Sequence, residues 1–325
     1  MRIRNCVVLG IPVQDGAGRL GCDLGPEALR AAGLAESLRA LGHKVADYGN
    51  VSPLPTQPDT HANTAIKSLP DIAAWIGAIQ RAVYDISGDG MPIILGGDHS
   101  LAAGTLPALQ RRANESGRPL FVLWLDAHAD FHSLDSTESG NLHGVPLAYA
   151  TGQAGFDGFF PKLPGIVAAE NVCVIGLRSV DPAERRVLAA SDITVLSMHA
   201  IAEHGIATGL RHFLDRVAAV NGLLHVSLDV DFLDPSIAPG VGTTVPGGAS
   251  VEDAHLVMEM LRDCGRVTSL ELAELNPRLD AGGRTVRLLV DLVASLFRMT
   301  HATLPCEDHS RLHPRQREWM ISTAA

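Results

Sequence analysis

Leu120-Phe121-Val122-Leu123-Trp124-Leu125 runs directly into Asp126-Ala127-His128-Ala129-Asp130, and this junction decides how the chain is read. An apolar run of that length with aromatic and β-branched members describes a strand buried on both faces, as inside a parallel sheet. If the extended backbone persists past Leu125, side chains at i, i+2 and i+4 share one side, so Asp126, His128 and Asp130 converge. Two carboxylates and an imidazole crowded at a strand end are costly unless a cation sits among them. Alone, the stretch fits a solvated strand end equally well.

Working outward, the same pattern of apolar run and polar end repeats. Cys6 to Ile11 reads as the first strand, and Pro92 to Leu95 as a buried strand ending in Gly96-Gly97-Asp98-His99-Ser100, with a helix starting near Ser100. The two glycines let the backbone turn there, leaving Asp98 and His99 at the strand's carboxyl end. Val172 to Ile175 ends in Gly176-Leu177-Arg178-Ser179-Val180-Asp181; Ile193 to Leu196 follows; Leu223 to Leu228 ends in Asp229-Val230-Asp231; Thr268 to Leu272 precedes Glu274-Leu275-Asn276-Pro277. Between them, helices are expected through Leu29, Leu34, Leu38 and Leu41 with Gly42 as the stop, over Ile72 to Ile86, after Gly144, near Leu210 to Val220, and over Arg284 to Arg298. Pro26 suits the first residue of its helix. The Gly-rich loop Gly16 to Gly21 lacks the spacing of a phosphate cradle and reads as a structural turn. Val51 to Pro70, rich in proline, reads as a surface excursion. Strands alternating with helices imply right-handed βαβ units. The expected fold is α/β: a single three-layer αβα domain over residues 1–302 with a mainly parallel, doubly wound central sheet. A tail over 303–325 is expected to be loose or used in subunit contacts.

At 325 residues and 46% hydrophobic content the chain can bury one large core. A net charge of −10 with scattered Lys and Arg gives no basic patch, so neither a nucleic acid nor a membrane surface is expected as partner. The five cysteines (Cys6, Cys22, Cys173, Cys264, Cys306) are odd in number and form no C-x-x-C pair, which suits a reducing cytoplasm.

In an open parallel sheet, ligands bind outside the carboxyl ends of the strands, where residues from different strands meet. His99, Asp126, His128, Asp130, Asp229, Asp231 and Glu274 all follow strands in this way. Asp229 and Asp231 repeat the i, i+2 spacing. Four aspartates and two imidazoles exceed the needs of one ion, whereas two divalent cations balance the four charges at the roughly 3.5–4 Å spacing of two-metal sites. An oxygen-rich set with two imidazoles favours Mn²⁺ over structural zinc, which takes Cys and His, and over calcium.

Three stretches then carry a family resemblance: Gly96-Gly97-Asp98-His99-Ser100, Asp126-Ala127-His128-Ala129-Asp130, and Ser227-Leu228-Asp229-Val230-Asp231-Phe232-Leu233-Asp234-Pro235. They resemble the metal-binding signatures of the ureohydrolases, the arginase and agmatinase superfamily. Ser139-Gly140-Asn141-Leu142-His143-Gly144, Gly18-Arg19-Leu20-Gly21 with Gly25-Pro26, and Pro239-Gly240-Val241-Gly242-Thr243 resemble bacterial arginases in particular. The resemblance implies an amidinohydrolase with two Mn²⁺ per subunit, cleaving L-arginine to L-ornithine and urea. His99, Asp126, Asp130 and Asp229 would bind one ion, and Asp126, His128, Asp229 and Asp231 the other. His143 matches the proton-shuttling histidine, Glu274 the guanidinium-binding glutamate, and Asp181 the aspartate facing the substrate α-amino group. Ser139, Asn141, His132 and Thr243 fall at substrate contacts, chiefly to the α-carboxylate. A homo-oligomer, trimer or hexamer, is implied as well. Two positions depart from the arginase pattern: His132 replaces Asn, and Thr243-Thr244 replaces Thr-Pro. His132 bears on which guanidine is the substrate more than on the chemistry.

A guanidinium carbon is a poor electrophile, so hydrolysis needs a strong nucleophile and a fixed substrate. Two metals acidify a bridging water, and Glu274 holds the guanidinium as a charge-assisted acceptor. Asp130 is placed to protonate the departing amine, with His143 exchanging protons with solvent. The rival readings are a hydrolase of agmatine or 4-guanidinobutyrate, a non-catalytic metal- or ligand-binding protein, and a deacetylase on the same fold.

Overall fold

The computed structural model describes residues 3–298 except 56, 58 and 59. The strands are β1 (Asn5–Ile11), β2 (Lys44–Asn50), β3 (Met91–Gly96), β4 (Leu120–Leu125), β5 (Val172–Leu177), β6 (Thr194–Ser197), β7 (Leu223–Asp229) and β8 (Val267–Ala273). The helices are α1 (Gly25–Ala31), α2 (Leu34–Ala40), α3 (Leu69–Ile86), α4 (Ala102–Ser116), α5 (Pro146–Ala150), α6 (Pro182–Ala189), α7 (Met198–His204), α8 (Ile206–Ala219), α9 (Val251–Cys264) and α10 (Arg284–Phe297). The strands form one sheet in the order β2-β1-β3-β8-β7-β4-β5-β6. Every neighbouring pair is parallel.

Period-two alternation explains why helices cover both faces. Leu120, Val122 and Trp124 of β4 enter the core that α3, α4 and α5 close, whereas Phe121, Leu123 and Leu125 enter the core closed by α2, α8, α9 and α10. Each such side chain, fully buried, contributes about 1.5–3 kcal/mol of hydrophobic stabilisation. The chain passes from β3 to β4 over a gap that β7 and β8 later fill, so β3, β8, β7 and β4 end side by side at the centre. The crevice above these four carboxyl ends is where such folds place ligands.

Several elements differ from the sequence reading. The first helix is two, α1 and α2, separated at Gly33 with φ 83°. Leu29 and Leu34 are five residues apart, about 140° around a continuous helix; the break returns both to the same core. Gly42, at φ 88°, does end α2. β2 was not expected: its residues are mostly exposed and lie on the sheet edge beside β1. The helix after Gly144 is only Pro146–Ala150, and α6, α7 and α9 add to those expected. Gly97 lies where a Cβ would meet the Val13 carbonyl at 1.8 Å, so glycine serves close approach of β3 to the chain leaving β1 rather than a sharp turn. The expected tail, and Cys306 within it, lie outside the described residues, and no helix among those described is long and apolar enough to cross a membrane.

Candidate metal centre and substrate pocket

Register along β4, β7 and β8 sets the polar ends level. Leu125 pairs with Leu228, and Asp229 pairs with Ala273, so Asp126, Asp229 and Glu274 emerge at neighbouring heights. His99 follows β3 and completes the ring. His99 Nδ1 lies 3.1 Å from Asp126 Oδ2, 3.2 Å from Asp130 Oδ2 and 3.0 Å from Asp229 Oδ2. His128 Nδ1 lies 3.0 Å from Asp231 Oδ2 and 3.5 Å from Asp126 Oδ1. The four aspartates and His99 are buried.

His99 Nδ1 is buried without a hydrogen-bond partner, although three carboxylate oxygens surround it. An imidazole lone pair aimed among carboxylates is the donor arrangement of a divalent ion. Two groups, His99-Asp126-Asp130 and Asp126-His128-Asp231, bring ligand atoms within 4.8 Å of one another, enough to hold a metal each. Asp126 belongs to both. Asp229, expected to be shared as well, stands on the His99 side, with its Oδ1 accepting from the Asp231 amide at 2.7 Å.

Convergence of the Asp126 stretch is not achieved by extended backbone. Asp130 has φ 48°, a left-handed conformation rare in residues other than glycine. Its carbonyl accepts from the Leu147 amide at 3.1 Å, which ties the turn to α5. Glu274, with φ 64°, is also left-handed, and its amide donates to the Gly97 carbonyl at 2.7 Å.

Burial and neighbouring charges set the protonation tendencies of the cluster's own residues. Burial opposes a charged ring, yet the Asp126, Asp130 and Asp229 carboxylates lift His99 well above the usual imidazole range. Burial likewise opposes charge on His128, yet Asp126 and Asp231 push it up to about 12. Burial and the Asp231 charge raise Asp229, while burial and the Asp126 charge lift Asp231 to about 6. The carboxylates thus favour positive charge among them, the electrostatic setting that suits a bound cation.

Several polar groups behind the cluster escaped the sequence reading. The His99 ring stacks on Trp124 at 4.0 Å between centroids, and Trp124 Nε1–H donates to Asp126 Oδ2 at 2.9 Å. His99 Nε2 meets Ser227 Oγ at 2.8 Å, and Ser227 Oγ–H donates to Glu271 Oε1 at 2.7 Å. His225 Nε2 lies 3.3 Å from that same glutamate oxygen. Both His225 and Glu271 are fully buried. An ionisable residue flanked by apolar neighbours inside each strand, His225 between Leu224 and Val226 and Glu271 between Leu270 and Leu272, was the available signal. Asp98 turns from the cluster and accepts from the Gly16 and Ala17 amides at 2.8 and 3.0 Å, pinning the Gly-rich loop.

Around the pocket, Glu274 Oε1 accepts from His143 Nδ1 at 2.8 Å and from the His99 amide at 2.9 Å. Its Oε2 lies 3.6 Å from the Cys22 thiol. Asp181 caps α6: its Oδ1 accepts from the Ala183 and Glu184 amides at 2.8 and 2.9 Å, while His132 Nε2 lies 2.8 Å from Oδ2. Asn141 Oδ1 accepts from Lys67 Nζ at 3.0 Å, and Ser139 Oγ accepts from the Asn141 amide at 3.2 Å. Thr243 is exposed on the facing loop. Cys6, Cys22, Cys173 and Cys264 are free thiols.

A doubly wound parallel sheet whose central strands β3, β7 and β4 lead into a cluster of His and Asp residues, with Glu274 after β8 beside it, marks a metal-dependent enzyme. The Arginase family model matches residues 4–298, and the chain belongs to that family. It is an amidinohydrolase. A Brucella suis arginase is 60% identical over 293 residues, covering 90% of this chain and 96% of its own. The crystal structure of arginase from Bacillus subtilis superposes with a TM-score of 0.78 at 37% identity, covering 91% of this chain and 99% of that one. A structure described as a hypothetical agmatinase from Burkholderia thailandensis reaches a TM-score of 0.65 at 26% identity, covering 90% of this chain and 84% of that one. The fold is thus common to enzymes named for different guanidines.

Proposed function

We propose that this protein hydrolyses L-arginine to L-ornithine and urea with two Mn²⁺ ions held by His99, Asp126, Asp130, Asp229, His128 and Asp231. The observation that carries the reading is the orphaned His99 Nδ1 among three carboxylates, in a residue whose amide donates to a Glu274 that is itself fixed by His143. It is supported by the 60% identity to a protein named arginase. When bound, the ions supply Lewis acidity and a water made nucleophilic at neutral pH.

The chain's own residues do the rest. Glu274 keeps Oε1 for His143 and the His99 amide, so Oε2, met only by the weak donor of the Cys22 thiol, is the oxygen that accepts a guanidinium N–H and holds the planar group over the cluster. Asp130, on its left-handed turn, takes the proton released by the attacking water and passes it to the departing amine. His143, part-exposed at the pocket side, exchanges protons with solvent. Asp181 meets the substrate α-ammonium; Ser139 and Asn141 meet the α-carboxylate, with His132 and Thr243 beside them.

The test is urea release, with added Mn²⁺, from arginine, agmatine and 4-guanidinobutyrate, together with elemental analysis. Arginine should be preferred, with close to two manganese ions per chain. Higher kcat/KM on a guanidine lacking the α-amino acid group, or full activity with a single tightly held zinc, overturns the reading.

A further inference from the structure

The segment expected to be a mere surface excursion is fastened to the loop that carries Ser139 and Asn141. Asn63 Nδ2 donates to the carbonyls of Leu134 and Thr137, both at 2.9 Å, and the Lys67 amide donates to the Gly140 carbonyl at 3.0 Å. Gly140, at φ 68°, leaves no room for a side chain, since a Cβ would meet the Ala65 carbonyl at 1.7 Å. The two stretches therefore form one wall of the pocket. At its top, Lys67 Nζ donates to Asn141 Oδ1 at 3.0 Å. Among the described residues, no carboxylate lies within the 4.0 Å of an ion pair with this ammonium.

Charge matching says what that cation is for. Two divalent ions balance Asp126, Asp130, Asp229 and Asp231, leaving Glu274 for the guanidinium and Asp181 for the α-ammonium. The remaining substrate group, the α-carboxylate, is met by Ser139 and Asn141, which are neutral, in a chain of net charge −10. A carboxylate entering a pocket dominated by carboxylates is repelled unless a positive charge receives it. Resting on the arginine reading, we propose that Lys67 is a specificity-determining residue that binds the α-carboxylate of the substrate. An ammonium has three donors, and Asn141 Oδ1 uses one. The Asn141 amide oxygen faces Lys67, so its NH₂ group remains as a second donor to the same carboxylate. Lys67 thereby orients the amino acid, head group outward and guanidinium toward Glu274.

The experiment compares Lys67→Gln, which can still donate to Asn141 Oδ1 but carries no charge, with Lys67→Arg, which keeps the charge. Lys67→Gln should raise KM for arginine about tenfold or more, as expected for losing a hydrogen bond to a charged group, and should change kcat less. The inhibition constant of L-ornithine, which has the same head group, should rise in parallel, and Lys67→Arg should recover much of both. The preference for arginine over agmatine should narrow by about the factor lost in KM, and the decline of kcat/KM with ionic strength should flatten. An unchanged KM for arginine in Lys67→Gln overturns the proposal, and so does an equal loss on agmatine, which would make Lys67 only a support for Asn141. A wild-type protein that releases no urea from arginine removes the underlying reading as well, and the same assay shows which has failed.

Discussion

His143 Nδ1 lies 2.8 Å from Glu274 Oε1, an oxygen that also accepts the His99 amide. One carboxylate thus ties the proposed proton-exchanging residue to a metal-ligand segment, and Nε2 of His143 is the atom left to exchange protons. His143→Asn should lower kcat by about 10- to 10⁴-fold, the range of general acid-base effects with their partial rescue by solvent, with metal content retained and part of the loss returned by imidazole. An unchanged kcat would leave His143 with a purely structural part in fixing Glu274.

The chain from His99 Nε2 through Ser227 to Glu271 directs the His99 lone pair at Nδ1 into the cluster. Outer partners of ligating histidines typically govern metal affinity by about 10- to 100-fold. Ser227→Ala and Glu271→Gln should each weaken manganese binding by that order, and the double variant should lose little more than Ser227→Ala alone, because Glu271 acts through Ser227. Titration of chelated protein with Mn²⁺ decides. Additive losses, or affinities equal to wild type, would show that these buried residues only fill the sheet.

Most positions of the His and Asp cluster were legible because they lie at or just past the end of a run such as Leu120 to Leu125 or Leu223 to Leu228, whose burial on both faces marks a parallel sheet. What was not legible is instructive. Asp130 was expected to converge along extended backbone, yet it reaches His99 through a left-handed turn held by α5, a long-range contact no local pattern encodes. β2 lacks alternation because an exposed edge needs little of it. The approach of Lys67 to Asn141 joins residues 74 apart, and only the folded loops bring them together. Two signals went unused: Glu271 is an acid between Leu270 and Leu272, and Ser250 with Asp253 forms a capping box at the start of α9.

The pKa shifts of the cluster's own side chains predict how a chelated protein responds to pH. Burial opposes charge on His143, yet Glu274 lifts it to about 10, and His128 is pushed up to about 12. A histidine whose pKa is raised on folding contributes stability that is full below about 6.5 and is lost as pH rises through the folded value. Asp126 and Glu274, which burial alone would raise but which His128 and His143 hold low, act only in the acid range. With chelator, therefore, Tm should fall between pH 7 and 10. Saturating Mn²⁺ replaces the protons and should flatten or reverse the slope. A chelated Tm that rises across this interval would contradict the geometry of the cluster.

His132 reaches Asp181 rather than standing free for a carboxylate. Its Nε2 lies 2.8 Å from Asp181 Oδ2 while its Nδ1 faces Ser136 Oγ at 3.1 Å, so the ring links the loop after β4 to the start of α6. Asp181 is committed on its other side to the Ala183 and Glu184 amides, which makes it cap and proposed ammonium acceptor at once. Asn at position 132 is too short to keep both contacts. His132→Asn should therefore raise KM for arginine severalfold and leave kcat nearly unchanged, since the head group is remote from the reacting carbon. Asp181→Ala should do more: losing a helix cap costs about 0.5–2 kcal/mol, lowering Tm, and losing the ammonium partner should reduce the preference for arginine over 4-guanidinobutyrate by about tenfold or more. Agmatine lacks the carboxylate but keeps an amino group, so guanidinobutyrate, which lacks the amino group, is the sharper comparison for this residue. If Asp181→Ala lowers Tm yet discriminates among the three guanidines as the wild type does, Asp181 is a cap alone and the ammonium must be met elsewhere.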